Sequence, residues 1–272
     1  MSIRSNLSAQ ELGLALQNCR VGSRLLCLDS IDSTNTEAKR QAMAGAPEGL
    51  VILSREQTAG RGRAGRSFQS SQDHGLYLSA LLRPRLPVEA VVNFTAWTAV
   101  AVCDGIEGAC GVRPGIKWTN DLVLGGRKLC GILTELGLDQ NSRALDFLVV
   151  GIGINTNHRP EDFQADLRSI ATSLSMELGR PVDHTLLATE VILALDRMYA
   201  AFPAEKASYL NRYRADCITT GQPVRLTTPA SSHEAFAVGI DDEFRLLVEY
   251  PDGSSEALSA GEVSVRGMYG YV

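Results

Sequence analysis

The strongest constraint on the fold is a strand-like run that enters a glycine-rich turn and is followed by a second strand. "GLVILSREQ" (Gly49–Gln57) is short, apolar and opened by a glycine, the pattern of a buried strand. The polar stretch "TAGRGRAGRSFQSSQDH" (Thr58–His74) comes next, and "GLYLSALLRP" (Gly75–Pro84) resumes the apolar pattern until proline stops it. Read literally, Gly60–Gly65 is G-x-G-x-x-G, the phosphate fingerprint of dinucleotide sites. That fingerprint works when its glycines open a helix whose N-terminus faces the pyrophosphate. Here a strand follows, so the match is accidental. A disordered Arg-Gly segment that binds RNA needs repeated units in polar surroundings; this is one unit between two apolar strands. What remains is a loop carrying Arg61, Arg63 and Arg66, with no carboxylate between Thr58 and Gln72. Gly60, Gly62 and Gly65 let its backbone turn tightly and present N–H groups. Such a loop suits a small anion with carboxylate or phosphate groups; a merely solvated loop is the plain alternative.

Elsewhere, helices and strands come in mixed order. Residues ahead of Asp29 make one short helix, too few for a separate DNA-binding domain of about 50 residues. "DSTNTEAKRQAMAG" reads as a helix start, with Ser33 or Thr34 as cap and Glu37 in capping-box reach. "VEAVVNFTAWTAVAVCDGIEGAC" (88–110) is an apolar helix that lies under a sheet. Strands flank Gly125-Gly126, a hairpin signal, and "ALDFLVVGIGINTN" is a buried strand running into a polar loop. Residues 164–215 read as helical. After Cys217 the texture changes to short alternating runs joined by Gly, Pro and Asp turns, a small all-β module and most simply a barrel. The expected fold class is therefore α/β (α+β): a mixed sheet with packed helices over residues 1–218, then a small β-barrel domain over 219–272.

Composition narrows the function. The net charge of −5 argues against non-specific nucleic-acid binding, which rests on a basic surface. Six cysteines without a C-x-x-C pair, and four histidines far apart in sequence, predict reduced thiols in a cytoplasmic protein and no zinc site. Cys103 and Cys130 read as structural thiols rather than nucleophiles. The amphipathic N-terminal stretch has no signal-peptide core, and no run of about 18 apolar residues is present to span a membrane.

Two further motifs join the arginine loop. "KWTNDLVLGGRKLCGIL" sets Lys117, Asn120 and Asp121 against Arg127 and Lys128 across a turn. "GIGINTN" (Gly151–Asn157) puts glycines after an apolar strand, where a ligand approaches the backbone closely, and Asn155 offers an amide able to read a base edge.

In this order and spacing, "DSTNTEA", "GRGRAGR", "KWTND…RKLCGIL" and "GIGINTN" resemble the signature segments of the biotin protein ligases. The resemblance covers roughly residues 29–272 and is specific because four ordered motifs carry it. It implies a class II synthetase-like catalytic domain, an SH3-like C-terminal barrel, and the short class without the N-terminal DNA-binding domain of bifunctional repressors. It implies two steps: biotin and ATP give biotinyl-5′-adenylate and pyrophosphate, then one lysine of a biotin carboxyl carrier protein is acylated. The name attached to that activity is biotin–[acetyl-CoA-carboxylase] ligase. Two anions must meet in the first step, so preorganised cations are needed, and arginine suits both groups.

By position, the resemblance puts biotin at Ser33, Thr34, Asn35, Gln57, Arg61, Gly62, Arg63 and Lys128. It puts ATP at Arg63, Arg66, Lys117, Asn120 and Asn155, and catalysis at Arg63, Lys128 and Asp121. Mg²⁺ accompanies ATP, with ligands that no motif identifies. Asp121 carries its own hypothesis. A free lysine is neutral about once in 2,500 molecules at pH 7, so Asp121 orients the acceptor amine or takes its proton; the alternative is a structural carboxylate paired with Lys117. Ala64, Phe68 and Thr119 depart from the family pattern, where arginine, tryptophan and proline are usual. A carrier domain is the implied partner, an exposed sheet edge is left to dock it or to dimerise, and neither DNA nor membrane binding is expected. The rival readings are a lipoate ligase or octanoyl transferase of the same superfamily, and a non-catalytic biotin sensor.

Overall fold

The computed structural model describes residues 7–139, 141–228, 231–259, 264–267 and 271, with the side chains at 64 and 264 outside that description. Seven strands build the main sheet: β1 (Arg24–Leu28), β2 (Leu50–Ser54), β3 (Gly75–Leu82), β4 (Gly115–Lys117), β5 (Asp121–Leu124), β6 (Arg127–Leu138) and β7 (Leu145–Asn155). Their order is β1-β2-β3-β7-β6-β5-β4. Only β1 and β2 run parallel; the other neighbours are antiparallel. This is the mixed sheet expected from the sequence.

Strands β2 and β3 are buried at every residue, because helices cover both faces of the sheet. Helix α1 spans Ala9–Ala15, α2 Thr34–Met43 and α3 Phe94–Cys110; α4 spans Leu174–Leu178, α5 His184–Ala201 and α6 Lys206–Asp216. On one face Ala38 and Ala42 of α2 meet Ile52, Leu81 and Val149. On the other, Val51, Leu53, Leu78 and Val150 join the core that holds Phe94 and Trp97 of α3 and Val191 of α5. Strand alternation explains the division: Val51 and Leu53 point one way and Ile52 the other. Helices α3 and α5 cross closely at Gly105, where an added Cβ would lie 2.6 Å from Val191 Cα.

Two expected helices are shorter than their patterns. The segment from residue 88 starts as a 3₁₀ turn (Val88–Val91), and the α-helix begins at Phe94; Val88, Val91 and Val92 are β-branched and poor openers. In 164–215 the chain is mostly irregular up to Ser173, and the Gly179-Arg180-Pro181 stretch then separates α4 from α5. Asp183 restarts the helix by accepting from the backbone N–H of Leu186 at 3.0 Å.

The C-terminal module is an antiparallel sheet of β8 (Pro223–Thr227), β9 (Ser232–Ile240), β10 (Leu246–Glu249), β11 (Ser255–Leu258) and β12 (Ser264–Gly267), in the order β11-β10-β9-β8-β12. Trp118, just past β4, donates its indole N–H to the Phe244 carbonyl at 3.0 Å, and Tyr213 of α6 meets the Phe244 ring edge-on. The residues that follow β4, carrying the second motif, are thus held between the two sheets.

Candidate active site

The antiparallel pairing gathers the motifs. Gly75 pairs with Asn155, Gly131 with Gly153 and Asp121 with Gly131. The arginine loop joins β2 to β3 and so lies beside the ends of β7 and the β5–β6 hairpin. Together they enclose a cavity of about 790 Å³, a size suited to a small-molecule substrate.

Its floor is made of glycine. Gly151 and Gly153 lie two apart on β7 and face the same side, with Gly131 opposite on β6. An added Cβ at Gly151 would sit 1.9 Å from Asn35 Oδ1, and one at Gly153 2.7 Å from the Phe68 ring. These glycines lie within the strand, not after it as the sequence reading had it, and serve close approach rather than turning. Phe68, which stands where tryptophan is usual, packs on this floor.

At one end the cavity wall is built mainly from hydroxyls and amides. Ser33 occupies the N-cap position of α2 without a side-chain capping bond among the described residues, so the expected cap function is not what these hydroxyls serve. Thr34 Oγ1 instead donates to Gln57 Oε1 at 3.1 Å, and the Thr34 backbone N–H donates to the same oxygen at 2.9 Å. Asn35 donates to the Leu133 carbonyl at 3.2 Å and to Glu135 Oε2 at 3.0 Å, and its Oδ1 accepts from Ser79 at 2.6 Å. Both amide donors of Asn35 are therefore engaged by the protein, which leaves its oxygen as the atom able to face a ligand.

Ser79 and Glu135 were not foreseen. Glu135 also accepts from Lys39 at 2.8 Å and pairs with Arg61 at 3.4 Å. Hydrogen bonds from Lys39 and Asn35 outweigh its burial and hold its pKa below the ordinary carboxylate value. The signal for it was a lone carboxylate inside the apolar strand "GILTELGL".

The other end is cationic. Arg63, Arg66, Lys117, Lys128 and Arg266 gather here around Asp121, which among the described residues is the one lining carboxylate, while Arg61 stands nearer the first end beside Glu135. Arg63 donates to Thr119 Oγ1 at 3.1 Å and Asn120 Oδ1 at 3.4 Å, and burial lowers its pKa. Asn120 in turn donates to the Ile132 carbonyl at 3.0 Å. Lys117 is 6% exposed, and burial pushes its ammonium down to about 8. A cluster of like charges, partly desolvated, is an arrangement that an anion stabilises.

Asp121 does not pair with Lys117 by hydrogen bond, contrary to the structural alternative stated above. It accepts from Lys128 Nζ at 2.6 Å and from the Tyr271 hydroxyl, while Lys117 Nζ lies 3.7 Å from the centre of the Tyr271 ring. The register places Lys117 opposite Asp121, but Lys117 turns towards the ring.

Asn155 also departs from expectation. It is 6% exposed, donates to the Thr172 carbonyl at 3.0 Å and does not line the cavity; its amide fastens the segment after β7 instead of facing a base. Cys103 and Cys130 are buried, and burial raises both thiols, so neither is a ready nucleophile. Three of the four histidines that are far apart in sequence come together in space. His74 and His158 rings lie 5.8 Å apart, and His184 contacts Thr156 and Asn157. Among the described residues no group of three or more His, Cys, Asp and Glu is placed to hold a metal ion.

Comparison with known proteins agrees with this geometry. Residues 27–155 match the biotin/lipoate A/B protein ligase family, and residues 219–266 match the biotin protein ligase C-terminal domain. Over 255 residues the chain is 34% identical to the bifunctional ligase/repressor BirA of Bacillus subtilis, covering 93% of this chain and 78% of that protein. It is 31% identical over 237 residues to the biotin–[acetyl-CoA-carboxylase] ligase of Mycobacterium tuberculosis, covering 85% of each. The chain belongs to the biotin protein ligase family. Its fold agrees: the biotin protein ligase of Aquifex aeolicus, solved in complex with biotin and ATP, superposes with a TM-score of 0.77 at 26% identity, covering 90% of this chain and 99% of that one. In this biotin protein ligase the four motifs named from sequence surround one cavity, and of the residues assigned to it only Asn155 falls outside the lining.

Proposed function

We propose that the cavity is the site where this enzyme, a biotin–[acetyl-CoA-carboxylase] ligase, joins biotin to AMP and then to a carrier lysine. One observation carries the reading: an end walled by polar hydroxyls and amides and a strongly cationic end share one glycine-floored cavity. The first suits a cyclic urea and the second a carboxylate beside a triphosphate. Biotin's head lies among Ser33, Thr34, Asn35 and Gln57, with Arg61 and Gly62 along its chain. A biotin carboxylate oxygen attacks the α-phosphorus of ATP. The P–O bond to the β-phosphate breaks and pyrophosphate leaves. Arg63 and Lys128 offset the repulsion of the two anions and hold the charge that develops on the phosphoryl oxygens. Arg66, Lys117 and Asn120 bind the nucleotide phosphates.

In the second step the acceptor lysine, once neutral, attacks the acyl carbon. The C–O bond to the phosphate breaks and AMP leaves. Asp121 orients the amine and receives the proton it sheds. Mg²⁺ belongs with the triphosphate: among the described residues there is no ready-made metal cluster, and Asp121 is engaged by Lys128 and Tyr271. The described residues thus offer no resident metal site, and in this reading the ion enters as part of its nucleotide.

We further read residues 1–218 as the catalytic domain and 219–272 as a separate small domain. The partner is a biotin carboxyl carrier domain, for which the β1 edge of the main sheet offers a strand; a second copy of the chain would compete for the same edge. No helix among the described residues is long and apolar enough to cross a membrane. With six free cysteines, that fits a cytoplasmic enzyme. Direct DNA binding is not part of the proposal. The experiment is pyrophosphate release with ATP and biotin, lipoate or octanoate in turn. A burst of release with biotin alone is expected, because a sheltered adenylate holds back further turnover until an acceptor is supplied. Release with lipoate and not biotin would move the chain to the rival substrate, and no release with any acid would make it a sensor.

A further inference from the structure

Tyr271, which follows β12 in sequence, lines the cavity. Its hydroxyl donates to Asp121 Oδ2, while Lys128 Nζ holds Asp121 Oδ1 at 2.6 Å. The face of its ring lies 3.7 Å from Lys117 Nζ, a cation–π contact. Burial, and then the Asp121 charge, raise the phenol well above its ordinary value, so it stays a protonated donor at neutral pH. Both oxygens of Asp121 are therefore in use, one by a lysine and one by a side chain that has no part in the chemistry derived above.

We propose that Tyr271 is a stand-in for the acceptor lysine: in the resting enzyme its hydroxyl holds the place on Asp121 that the carrier's amine takes during transfer. The amine of a lysine and the hydroxyl of a tyrosine both donate to a carboxylate at hydrogen-bond distance. Oδ1 is held by Lys128, so an amine that reaches Asp121 through the cavity arrives at Oδ2 and meets the tyrosine. Adenylate formation proceeds with Tyr271 in place, because Arg63 and Lys128 supply the charge for that step. Transfer requires Tyr271 to withdraw. Its hydrogen bond thus tunes how readily the carrier lysine is admitted, and shields Asp121 until one arrives. The inference rests on the ligase reading and on Asp121 acting in transfer.

The test separates the two half-reactions in the full-length chain, using Tyr271→Phe, which keeps the ring over Lys117 and loses the donor. Pyrophosphate release with biotin and ATP is expected to stay within about twofold. Transfer from preformed adenylate to a purified carrier domain is expected to show a KM for the carrier lowered by about tenfold, the scale of one hydrogen bond to a charged group, with kcat little changed. Tyr271→Leu should lower that KM too, and in an Asp121→Asn background neither change should matter. A carrier KM that is unchanged or raised in both Tyr271 variants, with unaltered melting temperature, overturns the proposal. Absence of pyrophosphate release from the unsubstituted enzyme would instead overturn the ligase reading, so the two failures are told apart.

Discussion

Gly151 is the residue whose side chain matters most by being absent. A methyl group there would overlap Asn35 Oδ1, and Asn35 is fixed by Ser79, Leu133 and Glu135. Gly151→Ala must therefore push Asn35 out of the cavity wall. The expected cost is about 1–3 kcal/mol of stability, read from the denaturant midpoint, together with a biotin KM raised about tenfold or more. Asp121 allows a sharper separation. Asp121→Asn keeps the shape of the side chain and removes its charge, so transfer from preformed adenylate should fall about a hundredfold while adenylate formation largely survives. Unchanged transfer would return Asp121 to a structural role beside Lys128.

At the scale of elements, the loop between β2 and β3 and the segment after β7 decide how the site closes. A mixed anhydride exposed to water would hydrolyse, so one or both should order over bound ligand. Biotin plus ATP should slow proteolytic cleavage within residues 57–70; identical cleavage with and without ligand would count against closure. The segment after β7 rests on buried histidines. Burial pushes His158 and His184 down to about 4 from an ordinary 6.5. The unfolded chain then binds more protons than the folded one between those values. Stability is fully present above pH 6.5 and is lost as pH falls towards 4, by up to about 3 kcal/mol per histidine. Denaturation midpoints measured from pH 7 to 4 should show this fall, and His184→Gln should reduce its slope.

Strands were legible because apolar runs bounded by glycine and proline have few other uses, and the arginine loop because its charges stand together. Ser79, Glu135 and the histidine cluster were not, since each depends on pairing across the sheet that no local pattern reports. Asn155 looked like a ligand reader because a polar amide after a strand is open to either use. Only the fold gives it the Thr172 carbonyl as partner.

Across the whole molecule the chain carries −5, yet among the described residues its cavity gathers six cations and one carboxylate. Net charge argues against a general nucleic-acid surface but is silent about this local field, which the topology creates by bringing the arginine loop, the Lys117–Lys128 segment and Arg266 of β12 to one place. Holding Trp118 against the Phe244 carbonyl ties the second motif to the C-terminal sheet, so both sheets set the position of Lys117 and Asp121. This field serves to join biotin to a nucleotide and pass it to a lysine. The most direct measurement is transfer of radiolabelled biotin to a purified biotin carboxyl carrier domain, with ATP and Mg²⁺. Label should accumulate on a single carrier lysine, require ATP, and be lost in Arg63→Ala. Absence of label on the carrier, or equal labelling without ATP, would contradict the account.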